Sequence, residues 1–418
     1  ALALTDGTEH HDAGRYLDYH PRLRKLQVIS LRDSTRTSEG RVRSILHVIT
    51  GFSPRIVVPI MVHDCFEAVR RYRSSGQNLG VICPVHENEV WAADDVIEND
   101  GCIDLVVTSN RLMAAFLSSL GGTQTEVVEA PLCVPVPHID EECRPVDRRD
   151  GDIVEQELVF GFCGDLKSPN KRFADAVAIV SLLADRGLRC TLLVAGDIEG
   201  VAWLGEVITE LDAKAKVSLL GLCEREELYR SFYPKLDFLL VASERETGPL
   251  VAFEAMAHHA VLVSSYYLGS AAEGVLVDNV TAIMFPIGDV NCAAKRIQLA
   301  LDHPQHMQLI AKNGASAVER VFSKRVFVEQ WCTCISFVLN QAPSRRSVQS
   351  VAVAAVVLRA IRVLEWTVRL LLRRSRMTGG SHDEWPRYAP GAVRAEDRER
   401  FWRTLEALDR SPNAADVG

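Results

Sequence analysis

The stretch Ser243-Glu-Arg-Glu-Thr-Gly-Pro-Leu-Val-Ala-Phe-Glu-Ala-Met-Ala-His-His-Ala-Val-Leu-Val-Ser-Ser265 decides the fold. It follows an apolar run, 238–243, that reads as a buried strand. Thr247, Gly248 and Pro249 make a tight turn. Proline is favoured at the first helical position, so a helix is expected to start near Pro249. The free N–H groups and dipole of that helix form an anion site at the strand's carboxyl end. Gly248 lets a phosphate approach the backbone closely. Glu246 stands just before this site. Glu254 lies within an apolar helical stretch, where a carboxylate is costly unless paired or bonded to a ligand.

Outward from this unit, short apolar runs alternate with amphipathic stretches. Strands are expected at 26–31, 55–62, 79–85, 104–108 and 125–132, with residues 1–5 as a further candidate. A polar, proline-containing segment follows at 136–157, and the rhythm resumes with strands near 158–163, 191–195, 216–221, 238–243 and 260–265. Two successive βα arrays imply an α/β protein of two doubly wound, Rossmann-like domains facing a cleft, with a C-terminal helical extension. The expected boundaries are 1–140 for the first domain, 141–157 for a linker and 158–340 for the second. A basic amphipathic helix at 345–376 and a polar tail with a short helix at 377–418 complete the chain.

Composition limits the function classes. The chain has 418 residues, 47% hydrophobic and 24% charged, which suits two soluble domains. A net charge of −8 argues against nucleic acid as a partner. Eleven cysteines without a Cys-x-x-Cys pair suit buried thiols in a reducing compartment rather than zinc or a disulfide framework. The N-terminus has neither a basic region nor a long apolar core, so no signal peptide is read there. A cytoplasmic location is expected. Residues 344–376 carry eight Arg and one Glu, and the polar positions of 348–373 fall on one helix face. This segment is expected either to pack on the protein or to lie on an anionic membrane surface.

Taken physically, one carboxylate at the mouth of a helix N-terminus and one on the helix suit a nucleotide sugar. The diphosphate would rest on the helix end, the sugar on one side and the ribose on the other. The same stretch resembles the E-x7-E signature of retaining GT-B transferases in glycosyltransferase family 4. Glu246 and Glu254 match both acidic positions, and Phe253-Glu-Ala-Met-Ala257 matches the run around the second. The resemblance implies that Glu246 lies near the donor sugar and Glu254 holds the ribose. Phe162-Cys-Gly-Asp-Leu-Lys-Ser-Pro-Asn-Lys171 is similar to the glycine loop opening the second domain, which implies that Gly164, Lys167 and Lys171 meet the diphosphate. Asp165 stands where the family has Arg; either Lys167 compensates or the donor is held differently. Leu193-Val-Ala-Gly-Asp197 and Val217-Ser-Leu-Leu-Gly-Leu222 resemble two further strand ends, the second placing Gly221 beside the base. Thr247, Gly248, Pro249 and Leu250 complete the implied donor site. Gly269 falls in a later glycine loop, although His259 and Val261 replace the usual Gly and Pro.

In the first domain, Val81-Ile-Cys-Pro-Val-His86 resembles a strand ending in a histidine that approaches the donor sugar, making His86 the second implied catalytic residue. His63, closing the preceding run, is a weaker candidate, and Ser109 reads as a helix cap. The expected activity is retaining transfer of a sugar from a nucleotide-diphosphate sugar to a glycan, lipid-linked or protein acceptor, in cell-surface glycan or glycolipid synthesis. The resemblance implies no metal or cofactor. A sugar-nucleotide epimerase and a catalytically inactive, partner-binding or regulatory GT-B scaffold are the alternatives.

Overall fold

The computed structural model describes residues 2–5, 21–31, 37–120, 125–136, 157–198, 214–341 and 395–410, with isolated positions 205, 208, 211 and 363. The 141–157 linker, apart from its last residue, and the 345–376 helix, apart from Val363, lie outside them. So do residues 6–8, directly after the first strand, and most of the polar tail.

Among the described residues every strand pairing is parallel. In the first domain β1 (Leu2–Thr5) pairs with β2 (Val28–Leu31). A four-stranded sheet runs β3 (Ile56–Val57), β4 (Gly80–Val85), β5 (Leu105–Thr108), β6 (Glu126–Glu129). In the second domain the order is β12-β11-β10-β7-β8-β9, a doubly wound arrangement. Its strands are β7 (Leu158–Cys163), β8 (Cys190–Ala195), β9 (Lys216–Gly221), β10 (Phe238–Val241), β11 (Val261–Ser265) and β12 (Ile283–Phe285).

Strand β3 has two residues where eight were expected, and this corrects the 55–62 assignment. Its brevity explains Pro84 in β4. β3 pairs only with Gly80 and Val81, so no ladder partner there requires the N–H that proline lacks. Strand β12 was not expected; three buried residues are too short a run to stand out.

The helices are α1 (Ser38–Phe52), α2 (Asp64–Ser74), α3 (Val90–Asn99) and α4 (Arg111–Ser119) in the first domain, and α5 (Phe173–Asp185), α6 (Leu250–Ala257), α7 (Val290–Asp302) and α8 (Pro304–Phe322) in the second. Helix α9 (Lys324–Asn340) then returns to the first domain. Its Cys334 and Val338 are buried with Ile82, Leu105 and Val107 of β4 and β5. The chain end does the same. Helix α10 (Ala395–Asp409) buries Phe401 and Leu405 in the first-domain core, with Phe401 edge-on to Phe116 at 4.8 Å. Among the described residues no helix is long and apolar enough to cross a membrane.

Candidate donor site at the interdomain cleft

The carboxyl ends of β7, β8 and β9 form a stepped glycine edge. The N–H of Gly164 donates to Ala195, and that of Gly196 donates to Gly221. A Cβ on Gly196 would stand 2.2 Å from the Gly164 carbonyl oxygen, so no larger residue fits there. A Cβ on Gly164 would meet the stem of Lys171 at 3.9 Å, which places this glycine beside the lysine.

The segment between β10 and α6 is strapped to the loop after β7 by Asn170. Asn170 accepts from the N–H of Glu244 at its carbonyl and from that of Arg245 at Oδ1, and its Nδ2 donates to the Arg245 carbonyl. This brings Lys171 and Glu246 together: Nζ lies 2.7 Å from Oε1, and Ser243 Oγ donates to the same oxygen at 2.6 Å. Gly248 has φ +104°, which a side chain would strain. Helix α6 begins at Leu250 with Pro249 in the cap position. Its first N–H groups point out of the helix, the first intrahelical donor being Ala252.

The other implied donor residues divide. Lys167 is an ion-pair partner of Asp197 at 2.5 Å, while Asp165 Oδ1 accepts from the Lys167 N–H. That pairing is the answer to the acid at position 165: it turns into its own loop. Glu254 is buried, as its apolar setting requires, and the chain itself supplies partners. Arg225 donates to Oε1 at 2.8 Å and Tyr233 to Oε2 at 2.6 Å. Burial, then the Glu254 charge, raises the Tyr233 phenol well above its ordinary value. Each oxygen keeps a lone pair, so a ribose hydroxyl can still donate to this carboxylate.

Across the cleft, the Asn88 N–H donates to Thr247 Oγ1 at 3.3 Å, and Asn110 Nδ2 donates to Asn88 Oδ1 at 3.0 Å and to the Thr247 carbonyl at 3.4 Å. Two residues before Asn88, His86 is half-buried, and its Nδ1 has no protein partner. Burial lowers its pKa, so the imidazole is neutral near pH 7. Ser109 Oγ donates to the His86 carbonyl; the cap of α4 is instead Asn110, whose Oδ1 accepts from Met113. His63 is engaged by Asp95 at 2.5 Å, which raises its pKa. Gly269 lies against Glu246, a built Cβ standing 3.4 Å from the Glu246 carbonyl oxygen.

Sequence reasoning missed Asn170, Arg225, Tyr233, Asn88 and Asn110. Their roles depend on pairings across 21 to 159 residues, which no local spacing announces. Arg225 alone carried a signal, standing in an acidic run shortly after Gly221. Among the described residues no cluster of His, Cys, Asp and Glu is arranged to hold a metal ion.

Residues 144–317 match the family model described as glycosyl transferases group 1. No curated protein matches the chain. Among solved structures, HepE from Anabaena, in complex with UDP and glucose, superposes with a TM-score of 0.60 at 15% identity, covering 80% of this chain and 99% of that one. Sucrose-phosphate synthase from Thermosynechococcus elongatus gives 0.59 at 16% identity, covering 74% and 82%. A glycosyltransferase from Rickettsia africae gives 0.59 at 14% identity, covering 77% and 88%. At such identities the structural likeness establishes the fold. The chain therefore has the GT-B fold of glycosyltransferases, and its residues 144–317 are similar to glycosyl transferases group 1.

Proposed function

We propose that the protein is a retaining glycosyltransferase of the family 4 type, using a nucleotide-diphosphate sugar. The observation that carries this is the Lys171–Glu246 pair beside Gly248 and the start of α6. A cation, a permissive glycine and outward N–H groups converge where a diphosphate would lie, with a carboxylate next to them. In the reaction, the bond from the anomeric carbon to the diphosphate oxygen breaks and the electron pair leaves with the nucleotide. The acceptor hydroxyl forms the new bond on the same face, and its proton passes to the departing phosphate oxygen. Lys171 and the α6 N–H groups meet the charge on the leaving group, so metal-independent transfer is expected. His86 and Glu246 border the sugar, and Glu254, held by Arg225 and Tyr233, receives the ribose. A soluble nucleotide donor suits a cytoplasmic enzyme, and the basic 348–373 segment suits contact with an anionic membrane surface.

A second reading is a donor-binding scaffold without turnover. Asp165 in the place of an arginine, and Lys167 engaged by Asp197, favour it. Two measurements separate them. Thermal shift with UDP, GDP, ADP, CDP and TDP should single out the donor nucleotide, since binding the native state raises Tm. Donor consumption is then followed for wild type and Glu246→Gln. Binding without consumption selects the scaffold, and no binding at all removes both.

A further inference from the structure

Helix α9 carries two apolar stripes, and the first domain covers one of them. Cys334 and Val338, with Trp331 and Phe337 beside them, pack against β4 and β5. Val328, Cys332, Ile335 and Leu339 recur at spacings of four, three and four, which places them together on a second face. That face is open: Val328 is 46% and Ile335 38% exposed, Cys332 is exposed and Leu339 is half-buried. Single exposed apolar side chains are ordinary. Here four share three turns, and no charge interrupts them. The charged residues of α9 are Lys324, Arg325 and Glu329, all in its first two turns, and 330–341 contains none.

The chain that leaves α9 carries a matching sequence. Residues 342–394, apart from Val363, lie outside the described residues; Val363 is helical and half-buried. Residues 342–347, Ala-Pro-Ser-Arg-Arg-Ser, have the composition and length of a connection between antiparallel helices. Residues 351–358 are apolar without a break, so a helix there is apolar all round and needs cover. At about 100° per residue, Val353, Val357 and Leu364 fall opposite the stripe of Arg359, Arg362, Arg369 and Arg373.

A turn of this length sets the register. With 348 opposite 340, each step forward on one helix is a step back on the other. The uncharged stretch 351–358 then meets the uncharged stretch 330–337. Val357 falls beside Cys332, and Glu365, the one acid of 344–376, falls beside Lys324 and Arg325. We propose that residues 348–365 dock antiparallel on the open face of α9, with Val353 and Val357 against Ile335 and Cys332. A second copy of the chain seated on α9 would leave 351–358 uncovered, and a lipid surface taking up 351–358 would leave the α9 face open. The hairpin covers both and keeps the arginine stripe outward. The inference does not rest on the transferase reading.

The test uses the exposed Cys332 of the full chain. Val357→Cys is oxidised with copper phenanthroline, and disulfides are mapped by peptide mass spectrometry without reduction. Arg359→Cys, one step along and on the outward stripe, is the comparison, and Cys332→Ser is the blank. An intrachain disulfide between Cys332 and the cysteine introduced at position 357 should form in at least half of the molecules, and at least fivefold less from position 359. Ile335→Asp, a change on the exposed face, should lower the yield at position 357 at least threefold. Equal yields at 357 and 359, or an unchanged yield with Ile335→Asp, overturns the proposal. Disulfide-linked dimers in place of the intrachain product assign the α9 face to a second copy and overturn it as well. So does loss of the intrachain product on adding phosphatidylglycerol vesicles, which assigns 348–365 to a membrane surface.

Discussion

The Lys171 ammonium and the Ser243 hydroxyl converge on one oxygen, Oε1 of Glu246, at 2.7 and 2.6 Å. The glutamate holds the lysine charge in place, and under the proposed function a diphosphate would compete for it. The two residues should therefore fail differently. Lys171→Ala removes a charge-assisted contact of about 1.5–3 kcal/mol, so donor KM should rise some ten- to a hundredfold. Glu246→Gln keeps the shape and frees the lysine. Nucleotide affinity should hold or improve, while kcat falls by about a hundredfold. Steady-state kinetics with donor titration check this; equal losses in kcat and KM for both variants would contradict the assignment.

Glu254 has protein partners on both oxygens, and this shapes the second prediction. Tyr233→Phe leaves Oε2 without its buried donor and should cost about 1–3 kcal/mol of stability. Whether Glu254 also receives a ribose is read separately. The Tm shift given by a ribonucleoside diphosphate should exceed that of its 2′,3′-dideoxy analogue in wild type, and the difference should vanish in Glu254→Gln. A persistent difference in that variant would place the ribose elsewhere.

The parts of this protein that were legible in sequence are those where burial and local geometry coincide. Strands β4, β5, β7, β8 and β10 are apolar on both faces because helices cover both, so their runs stand out. The Gly248–Pro249 turn and the start of α6 announce themselves through backbone chemistry. The 55–62 run misled because an apolar sequence cannot say whether it lies in a sheet or on a rim. Val58 and Ile60 are exposed, with the chain already out of the ladder. Glu254 was read correctly as needing a partner, but Arg225 and Tyr233 stand 29 and 21 residues away, fixed by tertiary packing alone. Asn88 and Thr247 meet only because the two domains close on one another.

A pH dependence follows from Glu273, on the segment between β11 and β12 that reaches the first domain. Its neighbour Ala272 is buried in the first-domain core. Burial, and then the Glu129 carboxylate at the end of β6, push the Glu273 pKa up to about 8; Arg111 opposes this. Glu273 Oε2 has no donor facing it, as suits a carboxyl that carries its own proton. Below the ordinary value of 4.5, folded and unfolded chains both hold this proton. Between there and about 8 the folded chain keeps a proton that the unfolded chain has lost. Stability from this group therefore falls as pH rises through that window. Glu273→Gln, which cannot ionise, should match wild type in Tm near pH 5 and exceed it increasingly up to pH 8.5. Parallel Tm curves for the two proteins would show that Glu273 holds no extra proton.

Helix α10 reaches the loop that carries Glu246, and this contact can be separated from the anchoring. Phe401 and Leu405 anchor the helix in the first-domain core. On its other side the Arg245 guanidinium carbon lies 4.6 Å from the Trp402 ring centre, and Asp409 Oδ2 accepts from the Gly269 N–H at 3.1 Å. Arg245 immediately precedes Glu246, and Gly269 lies against the Glu246 carbonyl. The helix thus holds two second-domain loops from a first-domain base. Phe401→Ala should cost about 3–5 kcal/mol, as expected for a buried phenylalanine, and lower Tm accordingly. Trp402 itself packs against that core and against Phe401, so the loop contact is removed from the exposed Arg245 side: Arg245→Met removes an interaction of about 0.5–2 kcal/mol. It should lower kcat/KM for the donor by roughly two- to thirtyfold with little change in Tm. Calorimetry and kinetics on the two variants test the division: anchoring governs stability, and the Arg245–Trp402 contact governs the position of Glu246. If Arg245→Met leaves activity unchanged, the helix is only a core element and the loop needs no support from it.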